Sequence, residues 1–142
     1  MTVARSDLEV TGARNTKIVC SHYEPEESQR VYDTMPCVIY CHGNSSCRLE
    51  AIDLVPSLLK AGMTLFCFDF PGCGRSDGEY ISLGWYEKDE IQVIIDYVRS
   101  SRKVSAVGLW GRSMGAATSL LHASRDPSIG ALVLDSPFSD LR

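Results

Sequence analysis

The stretch Val104-Ser105-Ala106-Val107-Gly108-Leu109-Trp110-Gly111-Arg112-Ser113-Met114-Gly115-Ala116-Ala117 decides the fold. Val104 to Trp110 is a short, continuous apolar run, the pattern of a strand buried on both faces. Met114 to Ser124 then reads as a helix, with Gly-x-Ser-x-Gly at the junction. A chain that passes from strand to helix at a single strained residue brings the positions two before and two after it close together. That accounts for Gly111 and Gly115, which carry no Cβ to clash. The strain holds the Ser113 hydroxyl clear of the backbone, and the helix N-terminus behind it favours developing negative charge. With Gly at about 7% of residues, such a pentapeptide arises by chance in roughly one chain in twenty of this length. Its position at a strand-to-helix junction makes chance a much poorer explanation.

Outward from this junction the chain alternates. Further apolar runs stand at Cys37 to Cys41, Thr64 to Phe70 and Ala131 to Leu134, and helical periods at Leu49 to Ala61 and Leu83 to Ser100. Ile91, Ile94, Ile95 and Val98 fall at i, i+3, i+4 and i+7 and form one apolar stripe. Gly62 suits the residue after a helix C-terminus, Ser82 a helix N-cap, and Pro56 predicts a kink or a shortened first helix. Leu8 to Thr11 and Thr16 to Tyr23, joined by Gly12-Ala13-Arg14-Asn15, read as an antiparallel opening hairpin, and polar Glu24 to Thr34 as a loop. Strand and helix in alternation imply an α/β fold: a mostly parallel sheet with helices on both faces, entered through the hairpin. Ligands bind such sheets beyond the carboxyl ends of the strands. His42-Gly43-Asn44, Asp69 to Ser76, Gly111 to Gly115 and Asp135-Ser136-Pro137 all fall at that edge.

Among these residues Ser113 is the candidate nucleophile. The backbone amides of Asn44 and Met114 are the candidate pair for an oxyanion hole, with Gly43 allowing close approach. His42, before the serine and at a strand end, reads as a structural hydrogen-bonding residue rather than a base. Asp69-Phe70-Pro71-Gly72-Cys73-Gly74-Arg75-Ser76 requires a shaped loop, which Asp69 would orient through Arg75 or Ser76. His122 lies nine residues into the serine's own helix and His22 in the hairpin, so neither reads as a base. Tyr80, Trp85, Tyr86 and Tyr97 read as core packing around one helix.

The composition excludes several classes. The sequence has 142 residues, 44% of them hydrophobic and 23% charged, with net charge −4 and scattered basic residues, which fits one globular domain and argues against a nucleic-acid or anionic-membrane surface. Met1 to Val10 carries Arg5, Asp7 and Glu9 and lacks the apolar core of a signal peptide. No apolar run approaches a transmembrane length, so a cytoplasmic location is expected. Six cysteines without a CxxC pair give no support to zinc or redox chemistry, and no metal or cofactor is expected. Cys37, Cys41 and Cys67 read as small core hydrophobes, Cys47 and Cys73 as inert loop thiols.

Four ordered motifs, CHGN, DFPGCGRSDG, GLWGRSMGAA and LVLDSPFSDL, together resemble the α/β-hydrolase superfamily, in its serine aminopeptidase S33-like and Bem46-like group. The resemblance runs from about Ile18 to the end and does not specify a substrate. It implies a serine hydrolase that cleaves an ester, thioester or amide of a small acyl or peptide substrate through an acyl-enzyme. Ser113 matches the nucleophile, and Asn44 and Met114 the oxyanion donors. The family's order is Ser, then Asp or Glu, then His. Asp135 sits where a minority of these enzymes place the acid, although within LDSPF it reads as structural, and the histidine has no counterpart. Residues 1–142 are therefore expected to form a single incomplete α/β-hydrolase domain, a truncated fold lacking the C-terminal strands and nearly inactive by itself.

A second reading is a non-catalytic hydrolase-like scaffold whose exposed final strand pairs with a partner chain. A doubly wound nucleotide-binding protein is excluded by the absence of G-x-G-x-x-G or a P-loop after the first parallel strand. The apolar Ala131 to Leu134 run would be a sheet edge in a chain of this extent, so 1–142 is expected to fold poorly alone. A monodisperse monomer with a high thermal midpoint would overturn that expectation.

Overall fold

The computed structural model describes residues 2–30, 32–43, 47–70 and 87–135. Val10 and Ile18 are the last apolar positions before the polar Gly12 to Asn15 turn, and they face each other across it. On either side run β1 (Val3–Thr11) and β2 (Lys17–Pro25), paired antiparallel from Thr11 opposite Lys17 to Val3 opposite Pro25. Asn15 closes the turn in the left-handed region at φ 58°, a conformation asparagine tolerates better than most residues. The strands extend further than their apolar cores indicate, and a short 3-10 turn at Glu27–Gln29 interrupts the loop that follows.

Among the described residues the remaining strands are β3 (Met35–Cys41), β4 (Thr64–Phe68), β5 (Val104–Arg112) and β6 (Ala131–Asp135), in a single six-stranded sheet of order β1-β2-β4-β3-β5-β6. β3 pairs parallel with β4 and β5, and β5 parallel with β6, while β2 joins β4 antiparallel. Side chains alternate between two cores, as the pleat requires. Ile39, Cys41, Phe66 and Phe68 face α2 (Glu87–Ser101) and α3 (Met114–Ala123), while Tyr40, Leu65 and Cys67 face α1 (Val55–Lys60). Helices thus cover both faces, and the sheet is mixed only at its hairpin end.

The helices follow their local chemistry. The apolar stripe of α2 is wholly buried, with Ile91, Ile94, Ile95 and Val98 all at 0% exposure, each contributing about 1.5–3 kcal/mol by removal from water. The first helical segment is not one α-helix: Arg48–Leu54 is a 3-10 helix, and the α-helix starts at Val55 with Pro56 in its first turn. Proline fits there because the first-turn N–H groups have no intrahelical acceptor. Gly62, at φ 86°, ends α1: its N–H donates to the Leu59 carbonyl and that of Met63 to the Leu58 carbonyl, the paired closure that favours glycine. The proposed N-cap Ser82 and the aromatic residues Tyr80, Trp85 and Tyr86 lie outside the described residues; Tyr97 packs against the core, 6.1 Å from Phe66 between ring centroids. Cys20, Cys37, Cys41 and Cys67 are buried free thiols; burial pushes Cys37, Cys41 and Cys67 up to about 12, so they remain protonated. Among the described residues no helix is long and apolar enough to cross a membrane.

Buried polar groups tie the hairpin to the sheet. Glu90 of α2 accepts the Ala13 N–H at 3.1 Å and lies 3.5 Å from the Arg14 guanidinium, clamping the turn onto the helix. At the other end of β2, Arg102 Nε donates to His22 Nδ1 at 3.0 Å, and His22 Nε2 lies 3.1 Å from Thr64 Oγ1. With Nδ1 accepting, the proton sits on Nε2 and the ring is neutral. Burial pushes the His22 pKa down from 6.5 to about 4. The unfolded chain therefore binds a proton that the folded chain refuses, and His22 contributes stability that is full above pH 6.5 and lost as pH falls towards 4. Urea midpoints at pH 7 and pH 4.5 are expected to show the chain losing on the order of 2–3 kcal/mol more than its His22→Gln variant over that interval.

Candidate active site

The register of the parallel strands brings three strand ends to one edge. Cys41 is opposite Gly111, Gly111 opposite Leu134, and Arg112 opposite Asp135. Ser113 continues this ladder, its N–H donating to the Asp135 carbonyl at 2.8 Å. It then turns the chain into α3 with φ 54° and ψ −114°, a conformation that L-residues rarely adopt. The residue is half-buried, and its side chain makes no capping hydrogen bond to the helix it precedes. Met114 is the first residue of α3, so its N–H belongs to the turn that lacks intrahelical acceptors.

Both glycines of the pentapeptide are required by space, for two different reasons. A Cβ on Gly111 would run into the carbonyl group of Gly115, the approach expected across the turn. A Cβ on Gly115 would strike the carbonyl oxygens of Cys41 and His42, so this glycine admits the end of β3 rather than Gly111. Gly43 closes the same corner: a Cβ there would lie 3.5 Å from the Arg112 carbonyl oxygen and 3.6 Å from Ser113 Cβ. Asn44, the other expected amide donor, lies outside the described residues, as do Ser136 and Pro137.

The three histidines of the chain are all engaged elsewhere. His42 is fully buried; its Nε2 accepts the Phe70 N–H at 3.0 Å, and its Nδ1 lies 2.7 Å from the Gly43 carbonyl oxygen. One ring thereby joins the end of β3 to the chain leaving β4, and burial lowers its pKa so that it stays neutral. His122 Nε2 pairs with Asp126 Oδ2 at 2.8 Å. This is a histidine–carboxylate pair, yet nine residues of helix at 1.5 Å per residue put it roughly 13 Å from Ser113. His22 belongs to the hairpin network. Asp135 contributes its carbonyl to Ser113 N–H, and its charge is felt at the Tyr40 hydroxyl.

Two carboxylates absent from the sequence-based candidate list, or assigned there to another partner, shape this edge. Asp69 accepts from the Arg48 N–H at 2.6 Å and from the Arg48 guanidinium at 2.8 Å, both groups being buried. Arg48 Nε in turn donates to Ser21 Oγ, and Ser21 Oγ to Asp7 Oδ1. Asp69 thus secures the start of the 3-10 helix; Arg75 and Ser76, its expected partners, lie outside the described residues with Gly72, Cys73 and Gly74. Glu50, which no motif singles out, accepts the Tyr40 hydroxyl at 2.6 Å, lies 3.3 and 3.4 Å from the Gly43 nitrogen through its two oxygens, and faces the Arg112 guanidinium at 3.8 Å. Burial, then the Glu50 hydrogen bond, raises the Tyr40 pKa. Asp69 shows in the sequence as a lone charge within an apolar run, whereas Glu50 stands between Arg48 and Asp53 and carries no mark of its role.

The family model described as "alpha/beta hydrolase fold" matches residues 36–142. An uncharacterized protein of Bacillus subtilis is 32% identical over 111 residues, covering 76% of this chain and 36% of that protein. A monoglyceride lipase homolog of monkeypox virus is 29% identical over 127 residues, covering 87% of this chain and 44% of its own length. Among solved structures, an esterase of Pyrococcus furiosus superposes with a TM-score of 0.82 at 27% identity, over 94% of this chain and 52% of the esterase. The chain therefore spans about half the length of that esterase and less than half of these two relatives.

Gly115 stands against carbonyl oxygens of a central strand that has no room to retreat. Gly115→Ala is expected to cost about 3 kcal/mol or more. Gly62→Ala, where a positive φ but open space is found, should cost only about 1 kcal/mol. Chemical denaturation of the two variants side by side measures the difference.

Proposed function

The chain belongs to the α/β-hydrolase family, and on that premise we propose that Ser113 is the nucleophile of a serine hydrolase acting on an ester, thioester or amide. The observation that carries this reading is the backbone of Ser113: a non-glycine residue held at φ 54° between a parallel strand and a helix, at the edge where three strands end. Strain of this kind persists only where the surrounding structure enforces it, and it is concentrated at working sites. The esterase and lipase-homolog names of the relatives agree with acyl transfer as the reaction class.

In the proposed mechanism the Ser113 hydroxyl attacks the substrate carbonyl and its proton passes to a general base. The resulting oxyanion lies against the Met114 and Asn44 amides, in the positive field of the α3 N-terminus. Collapse expels the alcohol, thiol or amine, and water then releases the acyl group by the same route in reverse. The described geometry assigns His42 to the β3–β4 junction and His122 to Asp126, so the base is proposed to come from chain beyond residue 142. Asp135 is kept as a candidate acid because its backbone adjoins Ser113.

A fluorophosphonate probe tests the reading. Residues 1–142 and a C-terminally extended chain are each labelled, with Ser113→Ala as the control. Labelling of the extended chain is expected and is abolished by Ser113→Ala, while 1–142 reacts slower by a factor on the order of 10⁴ or more. Equal labelling of both chains would show that the base lies within these residues or comes from a partner chain. Labelling that survives Ser113→Ala would overturn Ser113 as nucleophile, and its absence from both chains would leave the hydrolase-like scaffold as the better reading.

A further inference from the structure

We infer that Glu50 is a positioning residue for the Ser113 site, acting through Gly43; this rests on the acyl-transfer reading above. The carboxylate is held from the sheet side by the Tyr40 hydroxyl at 2.6 Å, a short bond that orients Oε1. From that position its two oxygens receive the Gly43 N–H at 3.3 and 3.4 Å. Gly43 is the last described residue before Asn44, and it packs directly on the turn: the position of its missing side chain lies 3.6 Å from Ser113 Cβ and 3.5 Å from the Arg112 carbonyl oxygen. The same carboxylate reaches the Arg112 guanidinium at 3.8 Å. Arg112 is more than half exposed, so that contact is weak and the Tyr40 and Gly43 bonds carry the arrangement.

The consequence is a division of the amides. The Gly43 N–H is committed to Glu50 and is not a donor to substrate. The carboxylate holds this peptide in the place where it packs on the Ser113 turn, at the end of β3. Glu50 is a side chain on the 3-10 helix Arg48–Leu54, so it ties that helix to the end of β3, while Asp69 secures the neighbouring Arg48 amide and guanidinium. A site whose donors are displaced by about 1 Å loses on the order of 100-fold in rate, which sets the scale of the expected effect.

The inference separates hydrogen bonding from charge. Glu50→Gln keeps an acceptor for the Tyr40 hydroxyl and the Gly43 N–H, whereas Glu50→Ala removes both. The limiting rate of inactivation by the fluorophosphonate and the half-saturating probe concentration are measured on whichever chain shows Ser113-dependent labelling, together with thermal midpoints. Glu50→Ala is expected to lower the limiting rate about 10- to 100-fold with the half-saturating concentration unchanged. Glu50→Gln should stay within about threefold of the parent, and Tyr40→Phe, which frees the carboxylate from its anchor, should fall between them. Should Glu50→Ala fail to fold, the Gln and Phe variants decide: Tyr40→Phe slower than Glu50→Gln supports the inference, and equal rates overturn it. A parent rate in Glu50→Ala, or an equal fall in the Ala and Gln variants, would also overturn it. Labelling that is absent or independent of Ser113 refutes instead the acyl-transfer reading on which it rests.

Discussion

The turn at Ser113 can exist only while the ends of β3, β5 and β6 stay locked at one level. Its positive φ carries a strain on the order of 1–3 kcal/mol, and nothing within the pentapeptide repays that cost locally. What opposes it is the neighbouring backbone: the Asp135 carbonyl takes the Ser113 N–H, and the Cys41 and His42 carbonyls close over Gly115. These contacts come from two strands, β6 and the end of β3, on opposite sides of β5. The parallel register is therefore a condition of the turn, and a slip of one residue in β3 or β6 would remove it.

That register is held from both faces by burial and from the rims by polar groups. The Ile91 to Val98 stripe and the α1 residues Val55, Leu58 and Leu59 press on opposite faces of the strands. Dispersion and the hydrophobic effect are nearly indifferent to sliding by small amounts; hydrogen bonds to single atoms are not. His42 between Gly43 and Phe70, Asp69 on Arg48, and Glu50 on Gly43 are all bonds of this second kind, and all involve residues at or just beyond the C-terminal ends of β3 and β4. The apolar core supplies the stability and the buried polar atoms define the alignment.

This division explains what could be read from the residues in order. The alternation of apolar runs and the Ile91 stripe are local signals, and they yielded the parallel sheet and the helices to within a few residues. The Gly-x-Ser-x-Gly turn was legible because its constraint is written in adjacent positions. Pro56 signalled a disturbance but not its form, since whether a helix kinks or restarts depends on what the preceding turn must reach; there the 3-10 segment delivers Arg48 to Asp69 and Glu50 to Gly43. The role of Gly115 was legible only in part: its partner is Cys41, more than seventy residues away, and no spacing rule reports it. Glu50 left no trace although its partners Tyr40 and Gly43 are only ten and seven residues away, because no periodicity or motif reports a contact made across a loop.

Buried charge at this edge also has an energetic asymmetry. Asp69 is fully buried and Arg48 nearly so, and such a pair gains little over an apolar pair of equal volume because both charges surrender their hydration. Removing one partner is far worse, since the other is left uncompensated at a cost of about 3–5 kcal/mol. A pair of that kind makes a poor source of stability but a firm position marker: it fixes Arg48, and with it the start of the 3-10 helix, relative to the end of β4. Glu50, less deeply buried and held by neutral donors, imposes a milder version of the same rule on Gly43. Gly43 and Arg48 are thus each held by a carboxylate, and the alignment of the Ser113 edge draws on these bonds to single atoms.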